Sequence, residues 1–151
     1  MRVQRKNLEK YAHEYYQMGN DCITQAHDIR AALANYDKAI ELYPQYTDAW
    51  VRKGITLYNN KDYYEAELCL NEAVRLSPTL FKAYYNRGKN RLAIHNIEGA
   101  LADFDKATSL KPERPKAHEF FGDALMQAGK ENEAALHWAI AERLREKKKK
   151  E

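Results

Sequence analysis

The sequence predicts an all-α fold made of repeated helix hairpins, and three observations predict it. The first is a period. Alanine recurs at Ala32, Ala66, Ala100 and Ala134 and again at Ala39, Ala73, Ala107 and Ala141, proline at Pro44, Pro78 and Pro112, and glycine at Gly54, Gly88 and Gly122. Each step is 34 residues (66 minus 32, 78 minus 44, 88 minus 54), and four series sharing one period mark a repeat array. The second is a bulky residue that holds the same phase at Tyr36, Leu70, Phe104 and Trp138. The third is composition: 6 glycines and 4 prolines among many Ala, Leu, Glu and Lys residues favour helix.

The elements follow in order as four units, near 12–46, 47–80, 81–114 and 115–146, within one domain spanning 1–151. In the first unit Gly19 stands one residue earlier than the phase of Gly54 requires, which predicts an extra residue in the turn near Gln25 to Asp28. The second unit reads TDAWVRKGITLYNNKDYYEAELCLNEAVRLSP from Thr47. Asp48 to Tyr58 has helical spacing, Asn59 to Asp62 is a polar break, and Tyr63 to Leu76 is a second helical run that Pro78 stops. The third unit opens FKAYYNRGKN, with Lys82, Asn86 and Lys89 at i, i+4 and i+7 on one face. A glycine inside a helix costs about 1 kcal/mol against alanine, so Gly88 is read as a contact point where a side chain would push two helices apart. The fourth unit runs into a charged helical tail, 147–151. One hairpin cannot bury both faces, whereas stacked hairpins share a continuous core.

Composition narrows the function classes. A hydrophobic fraction of 44% with 31% charged residues predicts a soluble chain, and a net charge of +3 by itself indicates neither a nucleic-acid nor a membrane partner. No apolar run is long enough to span a bilayer, and MRVQRKNLEK lacks an apolar signal core, so a cytoplasmic protein is expected. Cys22 and Cys69 have no CxxC spacing and are expected to stay reduced. His13, His27, His95, His118 and His137 include no i, i+3 or i+4 pair, so no metal site on a single helix is expected. The glycines are isolated, so no phosphate loop is expected, and no Ser-His-Asp or Cys-His arrangement is legible. A non-enzyme without a cofactor is the expectation. Asp48, Asp103, Asp105 and Asp123 interrupt any continuous basic face, which argues against nucleic acid.

The 34-residue period, the Trp50 to Gly54 start, the alanine followed at four residues by a bulky side chain (Ala66 and Leu70, Ala100 and Phe104) and the closing proline together resemble the tetratricopeptide repeat, over roughly Tyr11 to Leu144. Lys53 and Arg87 depart from the motif, which often has Leu there. The resemblance implies a right-handed superhelical α-solenoid of antiparallel helix hairpins that binds peptides or partner proteins. First helices would line a concave groove and second helices its convex back. The motif phase then places Tyr16 and Asn20 in the groove from unit one, and Asp48, Arg52, Ile55 and Asn59 from unit two. Unit three adds Lys82, Asn86, Lys89 and Ala93, and unit four adds Lys116, Phe120, Asp123 and Gln127, with Tyr58 and Tyr85 at the edge. Across the last three units, Arg52, Lys82, Lys89 and Lys116 outnumber Asp48 and Asp123, so the expected partner is a protein or peptide with acidic residues or a free C-terminal carboxylate. An exposed mixed stripe also serves solubility alone.

Some members of the family hold the acidic C-termini of heat-shock chaperones in a dicarboxylate clamp. That clamp takes Lys and Asn from the first helix of unit one, Asn from unit two, and Lys and Arg from unit three. Asn20 and Lys82 match this pattern. Tyr16 replaces the first Lys, Arg52 the second Asn, and Asn86 the Arg. The resemblance therefore implies a chaperone-linked adaptor with altered clamp geometry. A different reading comes from the last helix, ENEAALHWAIAERLREKKKKE, where Leu136, Trp138 and Ile140 form an apolar set that no later unit covers. That set is a candidate surface for self-association or docking in a larger assembly. Lys147 to Lys150 fit a solvated helix end, where cations complement the helix dipole. Two functional classes therefore stand: a groove-binding adaptor, and an assembly subunit that uses its end surface.

Overall fold

The computed structural model describes residues 2–150, with side chains from residue 4 onward. Met1 and Glu151, which the expected domain includes, lie outside the described residues. Among the described residues the chain forms α1 (Arg2–Asp21), a π-helical turn (Cys22–Ala26), α2 (Ile29–Leu42), α3 (Thr47–Asn59), α4 (Tyr63–Leu76), α5 (Phe81–Ala93), α6 (Ile97–Leu110), α7 (Pro115–Gln127) and α8 (Glu131–Lys150). Consecutive helices pair as antiparallel hairpins, and the chain divides into two compact units, Met1–Pro78 and Thr79–Glu151, each holding two hairpins.

Each hairpin turn follows one recipe. The chain passes through a single left-handed residue at His27, Lys61, His95 and Gly129, spaced 34 apart (61 minus 27) like the helices themselves. The next residue precedes the first residue of the second helix as its N-cap, and the side chains of Asp28 and Asn96 accept from the N–H groups of Ala31 and Gly99. Only the last of the four turns uses glycine, the residue that adopts this conformation without steric cost. Each second helix of the first three hairpins ends two residues before a proline, at Leu42, Leu76 and Leu110. Tyr43, Ser77 and Lys111 all leave helical geometry with φ of −141, −136 and −140°, as the following proline ring demands.

The displaced Gly19 has its explanation in the first turn. In the later turns Asp62, Asn96 and Lys130 donate to the carbonyl five residues back, whereas Asp28 donates to Cys22, six back, at 3.0 Å. The extra residue is absorbed in Cys22–Ala26, slightly earlier in the chain than the expected Gln25 to Asp28. A π-helical turn takes up one residue by widening the helix, so its backbone hydrogen bonding is kept.

The phase glycines do what the spacing predicts. A Cβ placed on Gly19 would lie 2.6 Å from the Tyr36 ring, on Gly54 2.7 Å from Leu70, on Gly88 2.8 Å from Phe104, and on Gly122 2.5 Å from Trp138. In the first unit the core gathers Ala12, Ala39 and Ala49 among tyrosines 15, 16, 43 and 46, with Leu57, Ala66 and Cys69 packed under Trp50 and Tyr58. In the second, Ala100, Phe104, Phe121, Ala124, Leu125 and Ala134 form the core.

The two departures from the repeat motif are ion-pair positions. Lys53 Nζ lies 2.6 Å from Asp37 Oδ1. Arg87 grips Asp103 through both carboxylate oxygens, at 2.9 and 2.7 Å, and Arg91 adds a third bond at 3.0 Å. Asp103 is 3% exposed, so this carboxylate is buried beneath two guanidinium groups rather than set on a surface.

Two outcomes follow for unfolding in urea. Gly88→Ala lowers stability by about 1–3 kcal/mol through overpacking against Phe104, which outweighs the roughly 1 kcal/mol of helix propensity gained, and Phe104→Leu restores part of it. Asp103→Asn removes the buried charge that two half-buried arginines share and costs about 3 kcal/mol; an unchanged urea midpoint would refute this ion-triad account.

Candidate functional site

In the first unit the groove candidates converge on a pocket of about 270 Å³. Its wall comes from Asn20 at the end of α1, Ile23, Thr24 and His27 of the π-helical turn and its corner, Ile29 and Tyr36 of α2, and Arg52, Ile55, Thr56 and Asn59 of α3. Asn20 is fixed by the Tyr36 hydroxyl, which donates to its Oδ1 at 2.9 Å. Burial raises the Tyr36 hydroxyl pKa, and the nearby Arg52 charge opposes that shift. Arg52 is exposed, and among the described residues it forms no ion pair or hydrogen bond. Asn20, Arg52 and Ile55 are thus brought together. Tyr16, at the clamp position of a lysine, lies in an aromatic cluster with Tyr36 at 6.2 Å and Tyr46 at 5.1 Å.

In the second unit the candidates divide. Lys89 holds its ammonium over the Tyr85 and Phe120 rings at 5.6 and 5.3 Å, and burial lowers its pKa. Tyr85 meets Phe120 edge to face at 5.8 Å, and Phe120 stacks on the buried Phe104. Tyr85, Lys89 and Phe120 therefore form one cationic–aromatic face rooted in the core. Lys82 is exposed, and the Asn86 amide donates to the Lys82 carbonyl at 2.7 Å, turned back on its own helix. Lys116 pairs with Glu119 at 3.1 Å, and Asp123 accepts from the Trp138 indole at 3.1 Å, so both already have partners. Tyr58 packs on Tyr63 and the core beneath it.

Of the end-surface set, Trp138 is half-buried and packs against Gly122 as the bulky residue of its hairpin. Leu136 is 60% exposed, and Ile140 is half-buried.

Two groupings escape a reading by helix face. Arg145 and Lys148 of α8 line a pocket with Phe81, Tyr85, Arg114 and Lys116, and Arg145 meets Glu119. His118 and His137 meet across the fourth hairpin with Nδ1 atoms 3.0 Å apart, and His118 Nε2 donates to the Pro112 carbonyl at 2.9 Å. The legible signal was phase: His118 and His137 stand 34 residues after Tyr84 and Asp103, both inward positions. Cys69 is buried, and burial pushes its thiol up to about 11, so it is poorly nucleophilic. Among the described residues no group of three or more His, Cys, Asp or Glu side chains is placed to hold a metal ion, and no helix is long and apolar enough to cross a membrane.

Comparison with known proteins gives a consistent picture. A family model described as tetratricopeptide repeat matches residues 25–81 and 79–145. A protein STIP1 homolog of Dictyostelium discoideum is 35% identical over 82 residues, which is 54% of this chain and 14% of that protein. The chain thus spans a small fraction of the relative it matches. Among solved structures, MamA 41-end from Desulfovibrio magneticus RS-1 superposes with a TM-score of 0.82 at 28% identity, covering 90% of this chain and 76% of that one. The first repeat domain of Spaghetti (RPAP3), bound to the HSP90 peptide SRMEEVD, superposes with a TM-score of 0.77 at 23% identity, covering 80% of this chain and 98% of that one, a likeness of fold.

The histidine pair generates a pH dependence. With the His118 Nε2 proton directed at Pro112, its Nδ1 accepts from the N–H of His137, and two charged rings would bring two N–H groups face to face. Burial and then His118 lower the His137 pKa, against opposing pulls from Glu133 and Asp105. Below about pH 6.5 the unfolded chain takes up a proton that folded His137 refuses, so stability falls as the pH drops through that window. His137→Gln flattens the change in urea midpoint between pH 7 and pH 5; a profile identical to the parent's would refute this account.

Proposed function

This chain belongs to the tetratricopeptide repeat family, and on that premise we propose that it is a non-catalytic, cytoplasmic adaptor that binds another protein or a peptide through the faces of its first helices. The observation that carries the reading is the Lys89 ammonium, half-buried between Tyr85 and Phe120. Desolvating a cation is costly, and an anionic partner offsets that cost with a charge-assisted contact in a partly water-excluded setting. Arg52 and Lys82 extend the same chemistry on exposed helix faces. The favoured ligand is an extended acidic segment or a free C-terminal carboxylate, without nucleic acid. An HSP90 peptide bound to a protein of like fold supports a chaperone-linked role for this chain.

A second reading is an assembly subunit that docks or self-associates through α8, favoured by the exposure of Leu136 beside Ile140.

Fluorescence polarisation separates the two. Labelled acidic peptides with free C-termini bind saturably, bind more weakly at moderate salt, and lose about tenfold or more in affinity on Arg52→Ala with Lys82→Ala. Amidation of the C-terminus shows whether the carboxylate is read. Absence of binding, together with a mass that rises with concentration and returns to monomer on Leu136→Glu, would replace the adaptor reading with the assembly one.

A further inference from the structure

Building on the adaptor reading, we propose that a basic pocket at the far end of α8 receives a phosphorylated serine or threonine of the bound partner segment. The pocket lies within Thr79–Glu151. Phe81 and Tyr85 of α5 form one wall, Arg114 and Lys116 at the start of α7 a second, and Arg145 and Lys148 of α8 a third. Its volume is about 430 Å³, room for a phosphoryl group on a side chain together with bridging water.

Charge specifies the ligand. Four cations line the space and no Asp or Glu does. The acids paired with them are Glu113, 3.8 Å from Arg114, and Glu119, which meets both Lys116 and Arg145. Four minus two leaves two positive charges, and Lys148 has no ion pair among the described residues. Arg114, Lys116 and Arg145 are exposed, and ion pairs of exposed cations are weak enough for a phosphoryl group to displace. A carboxylate supplies one negative charge. A phosphoserine supplies about 1.5 to 2, with three acceptor oxygens that two guanidinium groups can share. Lys111 and Arg114 stand over the Phe81 ring at 6.0 and 5.9 Å, and Tyr85 stacks on that ring at 5.4 Å, so the aromatic wall steadies its cations. The positive end of α7 adds to the field, since its N-cap, Arg114, makes no side-chain capping bond.

The site exists because a proline stop is missing. The earlier second helices end at Leu42, Leu76 and Leu110, and the same phase falls on Leu144 (110 plus 34). The phase of Pro112 falls on Glu146 (112 plus 34). α8 therefore runs on to Lys150, and Arg145 and Lys148 lie on that extra length. Tyr85 belongs both to this pocket and to the face that carries Lys89, so a segment lying on that face brings its next residues to the pocket. That continuity favours a phosphorylated peptide over a free anion.

The test uses one labelled acidic peptide in three forms, with serine, glutamate or phosphoserine at its centre, measured by polarisation against the full chain. The phosphoserine form binds at least tenfold more tightly than the glutamate form. Arg145→Gln with Lys148→Gln removes that preference and leaves the serine form unchanged, with unaltered helical circular dichroism as the folding control. Lys147→Gln with Lys149→Gln takes the same charge from the same helix end outside the pocket, and it keeps the preference. Inorganic phosphate competes at least tenfold less well than the phosphopeptide. Equal affinity for the glutamate and phosphoserine forms, or a preference that survives Arg145→Gln with Lys148→Gln, overturns this proposal. Binding that still depends on Arg52 and Lys82 then leaves the adaptor reading standing. Inorganic phosphate that competes as well as the phosphopeptide makes the ligand a free anion and overturns the proposal too. Binding of none of the three forms overturns both readings.

Discussion

The fold depends on one repeated contact: a glycine of the first helix set against a bulky side chain of the second. Gly19 meets Tyr36, Gly54 meets Leu70, Gly88 meets Phe104 and Gly122 meets Trp138. Each interior glycine costs its helix about 1 kcal/mol, and burying a large side chain returns about 1.5–3 kcal/mol. The contact brings the two helices of a hairpin close together, and the buried alanines at 32, 66, 100 and 134 keep the second helix narrow where it passes its partner. The left-handed corner and the proline stop then only have to deliver the chain to the next pair. With one contact repeated four times, the sequence has to repeat as well.

For that reason nearly all of the fold was legible. The helices expected at Asp48 to Tyr58 and Tyr63 to Leu76 are Thr47–Asn59 and Tyr63–Leu76. Corner residues such as Lys61 and His95 gave no local signal, because their left-handed geometry is imposed by the hairpin and not by side-chain preference. The displaced Gly19 exposed an insertion, but its form, a π-helical turn and not a longer loop, follows from backbone hydrogen bonds that have no sequence signature.

The sites were legible only in part. Helical phase tells which face a side chain occupies, not which neighbour it meets across a hairpin. Thus Arg52 and Lys89 stand on the faces their phase assigns, yet Asp123, Lys116 and Asn86 are engaged by Trp138, Glu119 and the Lys82 carbonyl. Asp103 reads as a surface acid in one dimension and is a buried anchor for two arginines in three. Trp138 reads as the uncovered end of an array and is the packing partner of Gly122. For Asp123, Asp103 and Trp138 the deciding partner lies 12 to 16 residues away across a turn (103 minus 91, 138 minus 122), outside the reach of local periodicity, whereas Lys116 and Asn86 turn to partners three and four residues away on their own helices.

The two tryptophans have a consequence of a different kind. Trp50 belongs to Met1–Pro78 and gives its indole N–H to the Pro44 carbonyl, and Trp138 belongs to Thr79–Glu151 and gives its own to the Asp123 carboxylate. The chain holds only these two. Nature has therefore placed one intrinsic fluorophore in each half, one beside a neutral dipole and the other beside an anion. Replacing either by phenylalanine leaves an emission signal from a single half. Superimposable denaturation curves from the two single-tryptophan proteins would mean that the halves melt as one cooperative body, and separated curves would assign a stability to each.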